Sequence, residues 1–313
     1  MRIIFFGTPE YVVPIADALH KEYHKTREKG VVAVVTQPPK PVGRKKEIAY
    51  SPIDNWAYKK KIKILRDINI SSFPSAELGI VASYGKIIPK KIIDNFKFGV
   101  LNIHPSLLPK YRGASPIQAA IATGETTTGV TIIKMDEFMD HGPIVSQFKE
   151  TINPDDSFGT LRQRLFERSA QFLIDLIPNY LNGKITLKEQ NHNEATFTKL
   201  ITKENGFIKP QVIANLLDNS ENQKNKEDKF EVKFIKDFSA PITAKNIHNL
   251  IRALDPWPNA WTYVEISGTI KRLKLINSSL QNQKFVLEKV QIEGKNPVKW
   301  EEFKKGYPNF KFI

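Results

Sequence analysis

Cysteine is absent from this sequence of 313 residues. Its absence excludes disulfide bonds, thiolate nucleophiles and zinc sites built on thiolates, and it fits a reducing compartment. Long apolar runs are absent as well. The N-terminal run is interrupted by Gly7 and Pro9 and is too short for a signal peptide or a membrane-spanning helix, and no later run approaches the required length. We therefore expect a cytoplasmic protein that does not enter a membrane.

Several motifs of common enzymes are also missing. No G-x-S-x-G elbow occurs, which disfavours a serine hydrolase. The turn after the first apolar run contains Gly7 but no G-x-G-x-x-G fingerprint, so no dinucleotide site is predicted. His20, His24, His192 and His248 show no ligand spacing with one another, and for this reason no metal site is predicted.

The charge is strongly positive, with 47 Lys and Arg against 33 Asp and Glu, a formal net charge of +14 and a pI near 9.6. Such an excess favours a polyanionic partner such as nucleic acid. Solvated surfaces that are rich in lysine give the same excess, so charge alone leaves both interpretations open. The length and the 41% hydrophobic content predict two globular domains of ordinary size.

Apolar runs that alternate with helical periodicity predict a doubly wound α/β domain over residues 1–182. This rhythm is lost in residues 183–206, which we interpret as a linker. Residues 207–313 then form a smaller second domain with strand-like alternation. Residues 220–229 contain no apolar side chain, which predicts a mobile insertion near residues 211–236.

Two polar side chains end one buried strand that is predicted over residues 100–104. Asn102 and His104 share a face of this strand because side chains alternate with a period of two. Pro105 has no N–H to donate and stops the ladder, so both side chains lie at the strand's carboxyl end. Ligands bind at that end in an open parallel sheet.

The segment after this strand adds a helix and a group of carboxylates. Ser115, with proline next and Gln118 at the third helical position, predicts a helix that begins with a capping box. A further strand-like run is followed by Asp136, Glu137 and Asp140. One of these carboxylates is expected to return to the sheet end, and the residues alone do not choose among the three.

Three segments of this region resemble the folate-dependent formyltransferases: Asn102-Ile-His104, the loop SLLPKYRG, and MDEFMDHGPI. Later segments, ATFTKLITKENGFI, IRALDPWPNA and VQIEGKNPVKWEEF, resemble more narrowly the methionyl-tRNA formyltransferases. Two positions depart from the family pattern, since Phe138 replaces the usual glycine and His141 replaces a small residue. The fold implied is a Rossmann-like formyltransferase domain followed by a shortened OB-like β-barrel.

The resemblance implies transfer of a formyl group from 10-formyltetrahydrofolate to the α-amine of methionyl initiator tRNA. Asn102 would then donate to the developing oxyanion, and His104 would serve as general acid and base. The family pattern selects Asp140 as the carboxylate that orients and supports the imidazole. No metal takes part, and a monomer is expected.

The resemblance also assigns binding residues. The folate segment corresponds to Ser106, Leu107, Leu108 and Pro109, mainly through their backbone groups, and Tyr84 and Gly85 help to shape its pocket. A proline-rich, basic loop over residues 37–51 matches the family's loop for the tRNA acceptor end. The tRNA-contacting residues implied are Lys40, Arg44, Lys45 and Lys46.

Two other functions remain as alternatives. The nucleotide-amino-sugar N-formyltransferases share the Asn, His and Asp constellation, whereas the basic loop and the later segments favour tRNA. A tRNA-binding protein that has lost catalysis is the second alternative, and the presence of Asn102, His104 and Asp140 argues against it.

Overall fold

The computed structural model describes residues 1–24, 30–43, 45–218 and 228–313 of the chain. These residues divide into two compact units. The first comprises Met1–Arg112, Gly129–Glu150 and Arg162–Ala195, and the second comprises Gly113–Thr128, Thr151–Leu161 and Thr196–Ile313. The first unit therefore takes in part of the segment that the sequence analysis treats as a linker.

Strands and helices follow one another along the whole chain. The strands are β1 (Arg2–Gly7), β2 (Gly30–Val35), β3 (Lys40–Val42), β4 (Glu47–Ala49), β5 (Lys63–Leu65), β6 (Leu78–Ala82), β7 (Val100–His104), β8 (Arg112–Gly113), β9 (Thr127–Lys134), β10 (Ile144–Thr151), β11 (Phe197–Thr198), β12 (Lys229–Glu231), β13 (Ser239–Pro241), β14 (Ala260–Ile266), β15 (Thr269–Gln281), β16 (Lys284–Ile292), β17 (Val298–Lys299) and β18 (Lys311–Phe312). The α-helices are α1 (Val13–Tyr23), α2 (Pro52–Lys59), α3 (Lys90–Ile93), α4 (Pro116–Ala122), α5 (Phe158–Leu181), α6 (Pro210–Leu217), α7 (Ala244–Ala253) and α8 (Trp300–Gly306).

A seven-stranded sheet in the order β10-β9-β7-β6-β1-β2-β5 forms the centre of the first unit. Its strands from β7 to β5 pair in parallel, as the near-continuous β-branched and aromatic runs predict. Residues 3–6 of β1 are completely buried. The predicted doubly wound α/β domain with a parallel sheet is confirmed.

The strand β9 pairs with β7 in the antiparallel direction, with His104 opposite Thr131 and Leu101 opposite Lys134. The loop after β9 therefore begins beside the amino end of β7, where the N–H of Met135 donates to the Val100 carbonyl. This reversal of direction is not predicted from the sequence, which indicates only that a carboxylate returns to the carboxyl end of the sheet.

A five-stranded sheet in the order β17-β16-β15-β14-β18 forms the centre of the second unit. All of its strand pairs are antiparallel, so the smaller second domain, expected as a shortened OB-like β-barrel, contains an antiparallel sheet. Strands β15 and β16 are long and are joined by a tight turn at Asn282 and Gln283, both with positive φ. This single hairpin accounts for most of the residues between β14 and β17, where a shortened barrel is expected.

The ends of the predicted insertion near residues 211–236 are packed, and this corrects the expectation of mobility there. Helix α6 buries Ile213 and Leu216, and the segment after β12 buries Val232 and Phe234. These apolar side chains lie on either side of the polar run on which the expectation was based. Residues 219–227, which include most of that run, lie outside the described residues.

The predicted capping box at Ser115 does not form. The Ser115 hydroxyl donates to the Lys199 carbonyl at 2.8 Å instead of accepting from the first turn of α4. Its N–H donates to Thr198 Oγ1 at 3.0 Å. A partner distant in sequence therefore replaces the local cap, which a local pattern does not reveal.

No helix among the described residues has the length and apolar character that a membrane crossing needs.

Candidate active site

The carboxyl end of β7 carries the predicted pair Asn102 and His104, and the structure brings Asp140 to both. Asp140 Oδ1 lies 3.1 Å from Asn102 Nδ2, which donates to it, and 3.4 Å from His104 Nδ1. The His104 side chain is 4% exposed and that of Asp140 is 11% exposed. Three side chains from two segments thus meet in one largely buried cluster.

His104 has an oxygen atom opposite each ring nitrogen. Nε2 lies 3.0 Å from the Tyr111 carbonyl, which accepts only, so Nε2 carries a proton. Nδ1 faces the Asp140 carboxylate. Nε2 is thus bonded to the Tyr111 carbonyl, and Nδ1 is the ring nitrogen that lies beside the carboxylate.

The loop that presents Asp140 is tightly constrained. Asp140 has φ of +50°, a left-handed conformation that aspartate tolerates better than most residues do. A glycine in such a loop suggests flexibility, but the structure gives Gly142 another role: a Cβ here would lie 1.9 Å from the Lys134 carbonyl oxygen. Close approach of the backbone, rather than flexibility, requires glycine at this position.

The other two carboxylates of this loop do not join the cluster. Asp136 accepts from the N–H of Phe138 at 2.9 Å and lies 2.6 Å from His141 Nδ1. Glu137 is exposed. Of the three carboxylates that the residue pattern left open, Asp140 is therefore the one beside His104, as the family pattern implies.

Two side chains that the sequence did not indicate form hydrogen bonds with the backbone of the segment Ser106, Leu107, Leu108 and Pro109. Thr131 Oγ1 donates to the Ser106 carbonyl at 2.6 Å and accepts from the Leu108 N–H at 3.1 Å. Gln147 donates to the Leu108 carbonyl at 3.0 Å and to Thr131 Oγ1 at 2.8 Å. These backbone groups are satisfied within the protein, so the segment is a rigid platform.

Tyr84 and Gly85 follow β6, and the Tyr84 side chain lies in the core. Its ring packs edge-on against Phe6 at 5.9 Å, and burial raises the pKa of its hydroxyl to about 12. The Tyr84 carbonyl accepts from Thr8 Oγ1 and from Gln37 Nε2. Any role of this segment in a pocket therefore belongs to its backbone and to Gly85, not to the phenol.

The basic loop over residues 37–51 is a small β-hairpin, in which β3 and β4 pair antiparallel. Its root is fixed by Gln37, which accepts from Lys40 Nζ at 2.8 Å and donates to the Tyr84 carbonyl at 3.2 Å. Lys45 and Lys46 are exposed near the turn. Arg44, the remaining predicted contact, lies outside the described residues.

Two further buried side chains, Arg112 and Gln190, lie next to the cluster and were missed by the sequence analysis. Gln190 donates to the Asp140 carbonyl at 2.9 Å and to the Gly142 carbonyl at 2.7 Å. Gln190 lies in the segment interpreted as a linker, 50 positions beyond Asp140. No local spacing marks such a partner.

In the parts of the chain that the structure describes, no group of three or more His, Asp and Glu side chains could hold a metal ion.

Comparison with known proteins places this geometry in context. A family described as "Formyl transferase" matches residues 1–177, and its C-terminal domain matches residues 237–286. A methionyl-tRNA formyltransferase of Chloroflexus aggregans is 36% identical over 271 residues, which is 84% of this chain and 76% of that protein.

Solved structures of two relatives share the fold at low sequence identity. A methionyl-tRNA formyltransferase from Clostridium thermocellum has a TM-score of 0.53 and 20% identity, with 93% of this chain and 98% of that chain covered. An N-formyltransferase from Helicobacter canadensis, in complex with folinic acid and dTDP-3-aminofucose, has a TM-score of 0.61 and 19% identity, with 93% and 94% covered. At these identities the two structures support the fold and do not distinguish substrates.

Proposed function

We propose a reaction for this chain from the premise that it belongs to the formyl transferase family: transfer of the formyl group of 10-formyltetrahydrofolate to the α-amine of methionyl initiator tRNA. The observation that carries the choice of acceptor is the 36% identity with a methionyl-tRNA formyltransferase over 84% of the chain. The chain is an enzyme of formyl transfer, and formylmethionyl-tRNA is the proposed product.

The donor set beside β7 fits an acyl transfer from a formyl donor. The bound folate would supply a formyl group as an amide-like carbonyl. The carboxamide of Asn102 has two N–H groups, of which one donates to Asp140 at 3.1 Å. The second can donate to the carbonyl oxygen as negative charge develops there. Because the first bond fixes the plane of the amide, this donor is oriented before the reaction.

His104 is the group proposed to move protons. Its Nε2–H is anchored on the Tyr111 carbonyl, so Nδ1 takes up the proton that the attacking amine loses and returns it to the leaving nitrogen. Asp140 Oδ1 lies 3.4 Å from Nδ1 and stabilises the ring while it is charged. The near-complete burial of His104 excludes bulk water from this exchange.

The proposed folate platform is the segment of Ser106, Leu107, Leu108 and Pro109, together with Gly85. Thr131 and Gln147 hold this segment rigid, so it presents a fixed surface. Rigid support lowers the entropic cost of binding a ligand.

The proposed tRNA contacts are Lys40, Arg44, Lys45 and Lys46, of which Lys40 lies in the hairpin of β3 and β4 and the other two lysines lie near its turn. Exposed lysines at a tight turn suit phosphate contacts, which position a nucleic acid without reading its sequence. Its root at Gln37 is bonded to the Tyr84 carbonyl. The hairpin is therefore tied to the strand end that the resemblance assigns to the folate pocket.

The test is incubation of the protein with 10-formyltetrahydrofolate and methionyl initiator tRNA, followed by measurement of formylmethionine. A panel of nucleotide-linked amino sugars is run in parallel. We expect formyl transfer to the tRNA, and a loss of about 10²- to 10⁴-fold in kcat for His104→Ala. Transfer to an amino sugar alone would overturn the proposed acceptor, and a loss below tenfold would remove His104 from its role.

A further inference from the structure

Gln190 is joined to both sides of the backbone that presents Asp140. Its Nε2 donates to the Asp140 carbonyl at 2.9 Å and to the Gly142 carbonyl at 2.7 Å, so the amide bridges the carbonyl groups of the two residues that flank His141. The Gln190 side chain is buried, at 5% exposure. Both N–H groups of the amide are thereby used on one short segment of loop.

Arg112 fixes which way this amide faces. Its Nη2 donates to Gln190 Oε1 at 2.7 Å, and its Nε donates to the same oxygen at 3.3 Å. A guanidinium has donors only, so the oxygen of the amide has to face Arg112 and the nitrogen has to face the loop. Arg112 is itself 4% exposed, which makes the contact a buried, charge-assisted one.

Arg112 also contacts the ring of His192. Arg112 Nη2 lies 2.8 Å from His192 Nδ1, which must therefore be the unprotonated acceptor of the ring. His192 stacks on His141 with ring centroids 4.1 Å apart and planes 3° apart, and Phe138 packs against His141 at 5.3 Å. Phe138 and His141 are the two positions at which the sequence departs from the family pattern.

The Asp140 backbone needs such support. Its φ of +50° is uncommon for a residue with a side chain, and it persists only where neighbouring contacts hold it. This backbone presents Asp140 Oδ1 within reach of Asn102 Nδ2 and His104 Nδ1. A displacement near 1 Å at such a group can lower a rate by about 100-fold.

We propose that Gln190, oriented by Arg112, is a positioning residue that holds the Asp140 carboxylate against His104 and Asn102. The inference rests on the proposed formyl transfer for its kinetic consequence. It adds to that function a residue that contacts no reacting atom and acts through the backbone carbonyls of Asp140 and Gly142.

The first experiment is the substitution Gln190→Met, which keeps the length of the side chain and removes both N–H donors. We expect kcat to fall by about 10- to 100-fold. The KM values for the tRNA and for the folate should stay within about twofold of the wild-type values, because no binding group is removed. The matched control is Gln163→Met, which changes an exposed glutamine of α5 and should leave kcat unaltered.

A double substitution separates positioning from general stability. If Gln190 acts through the Asp140 carboxylate, Gln190→Met should cost little further activity in an Asp140→Asn background. An equal loss in both backgrounds would show a merely structural contribution and overturn the proposal, as would a raised KM with an unchanged kcat.

A second variant guards against a folding defect, and a spectroscopic readout separates the inference from the proposed function. Gln190→Glu retains the contact with Arg112 but presents oxygen to two carbonyls, so it should stay folded and lose kcat. If wild-type protein formylates no tRNA, the proposed function fails, and the imidazole ¹⁵N signals of His104 still decide the inference. They should change with Gln190→Met in the same direction as with Asp140→Asn, and unchanged signals would overturn it.

Discussion

The substitution Gly142→Ala should damage stability and catalysis together. A Cβ at residue 142 would lie 1.9 Å from the Lys134 carbonyl oxygen and 3.3 Å from the Asp136 nitrogen. An ordinary contact is about 3.5 Å, so the loop would have to move by roughly 1.5 Å. Both clashing atoms belong to the backbone, so neither can rotate away as the end of a side chain can.

The cost can be estimated from the kind of disturbance. Forcing a methyl group into packed surroundings costs about 1–3 kcal/mol. The displaced loop also carries the carbonyl of residue 142, which accepts from Gln190 at 2.7 Å, and the Asp140 carboxylate. A shift larger than 1 Å at Asp140 should lower kcat by about 100-fold or more.

The assay measures the urea midpoint and kcat for the variant beside a matched control, Gly306→Ala. Residue 306 has open space around the position of a Cβ and no positive φ, so its substitution should be neutral or slightly stabilising. If Gly142→Ala keeps the wild-type midpoint and kcat, the loop is softer than its contacts indicate. Its glycine would then not be required by packing.

Three further outcomes follow from other sites. Within the described residues the buried Tyr84 hydroxyl has no hydrogen-bond partner, so Tyr84→Phe should preserve or raise the urea midpoint and leave the KM for folate unchanged. Burial, aided by the charge of His24, lowers the pKa of His20 below 6.5. The contribution of His20 to the free energy of unfolding is therefore complete above pH 6.5 and declines as the pH falls. In the variant His20→Gln, the free energy of unfolding should decrease less between about pH 6.5 and pH 5 than in the wild type. Lys45→Ala and Lys46→Ala should each reduce the slope of log affinity for tRNA against log salt by about 0.7–0.9, and unchanged slopes would remove the hairpin from the interface.

Local patterns predicted the parts of the site that depend on local physics. The period of two along β7 placed Asn102 and His104 on one face, and the structure has them there. The same period does not predict that β9 runs antiparallel to β7, because strand direction is decided by pairing and not by the strand's own residues. Asp140 therefore reaches His104 from a loop that begins at the amino end of β7.

The misses share one physical cause, which is competition from partners distant in sequence. Ser115 fits a capping box locally, yet its hydroxyl donates to Lys199. Gly142 suggests flexibility locally, yet the Lys134 carbonyl requires it. Gln190 lies in a polar segment without periodicity, and only the folded chain shows that it donates to the Asp140 carbonyl.

The position of Gln190 along the chain bears on how small a working catalytic fragment can be. A fragment that ends at residue 182, where the α/β alternation stops, would retain Asn102, His104 and Asp140 and would lack the amide that holds the carboxylate in place. The same holds for a nascent chain, whose three reacting groups emerge well before the residue that aligns them. Catalytic competence should therefore arise late in synthesis, once the segment after α5 has folded back onto the loop.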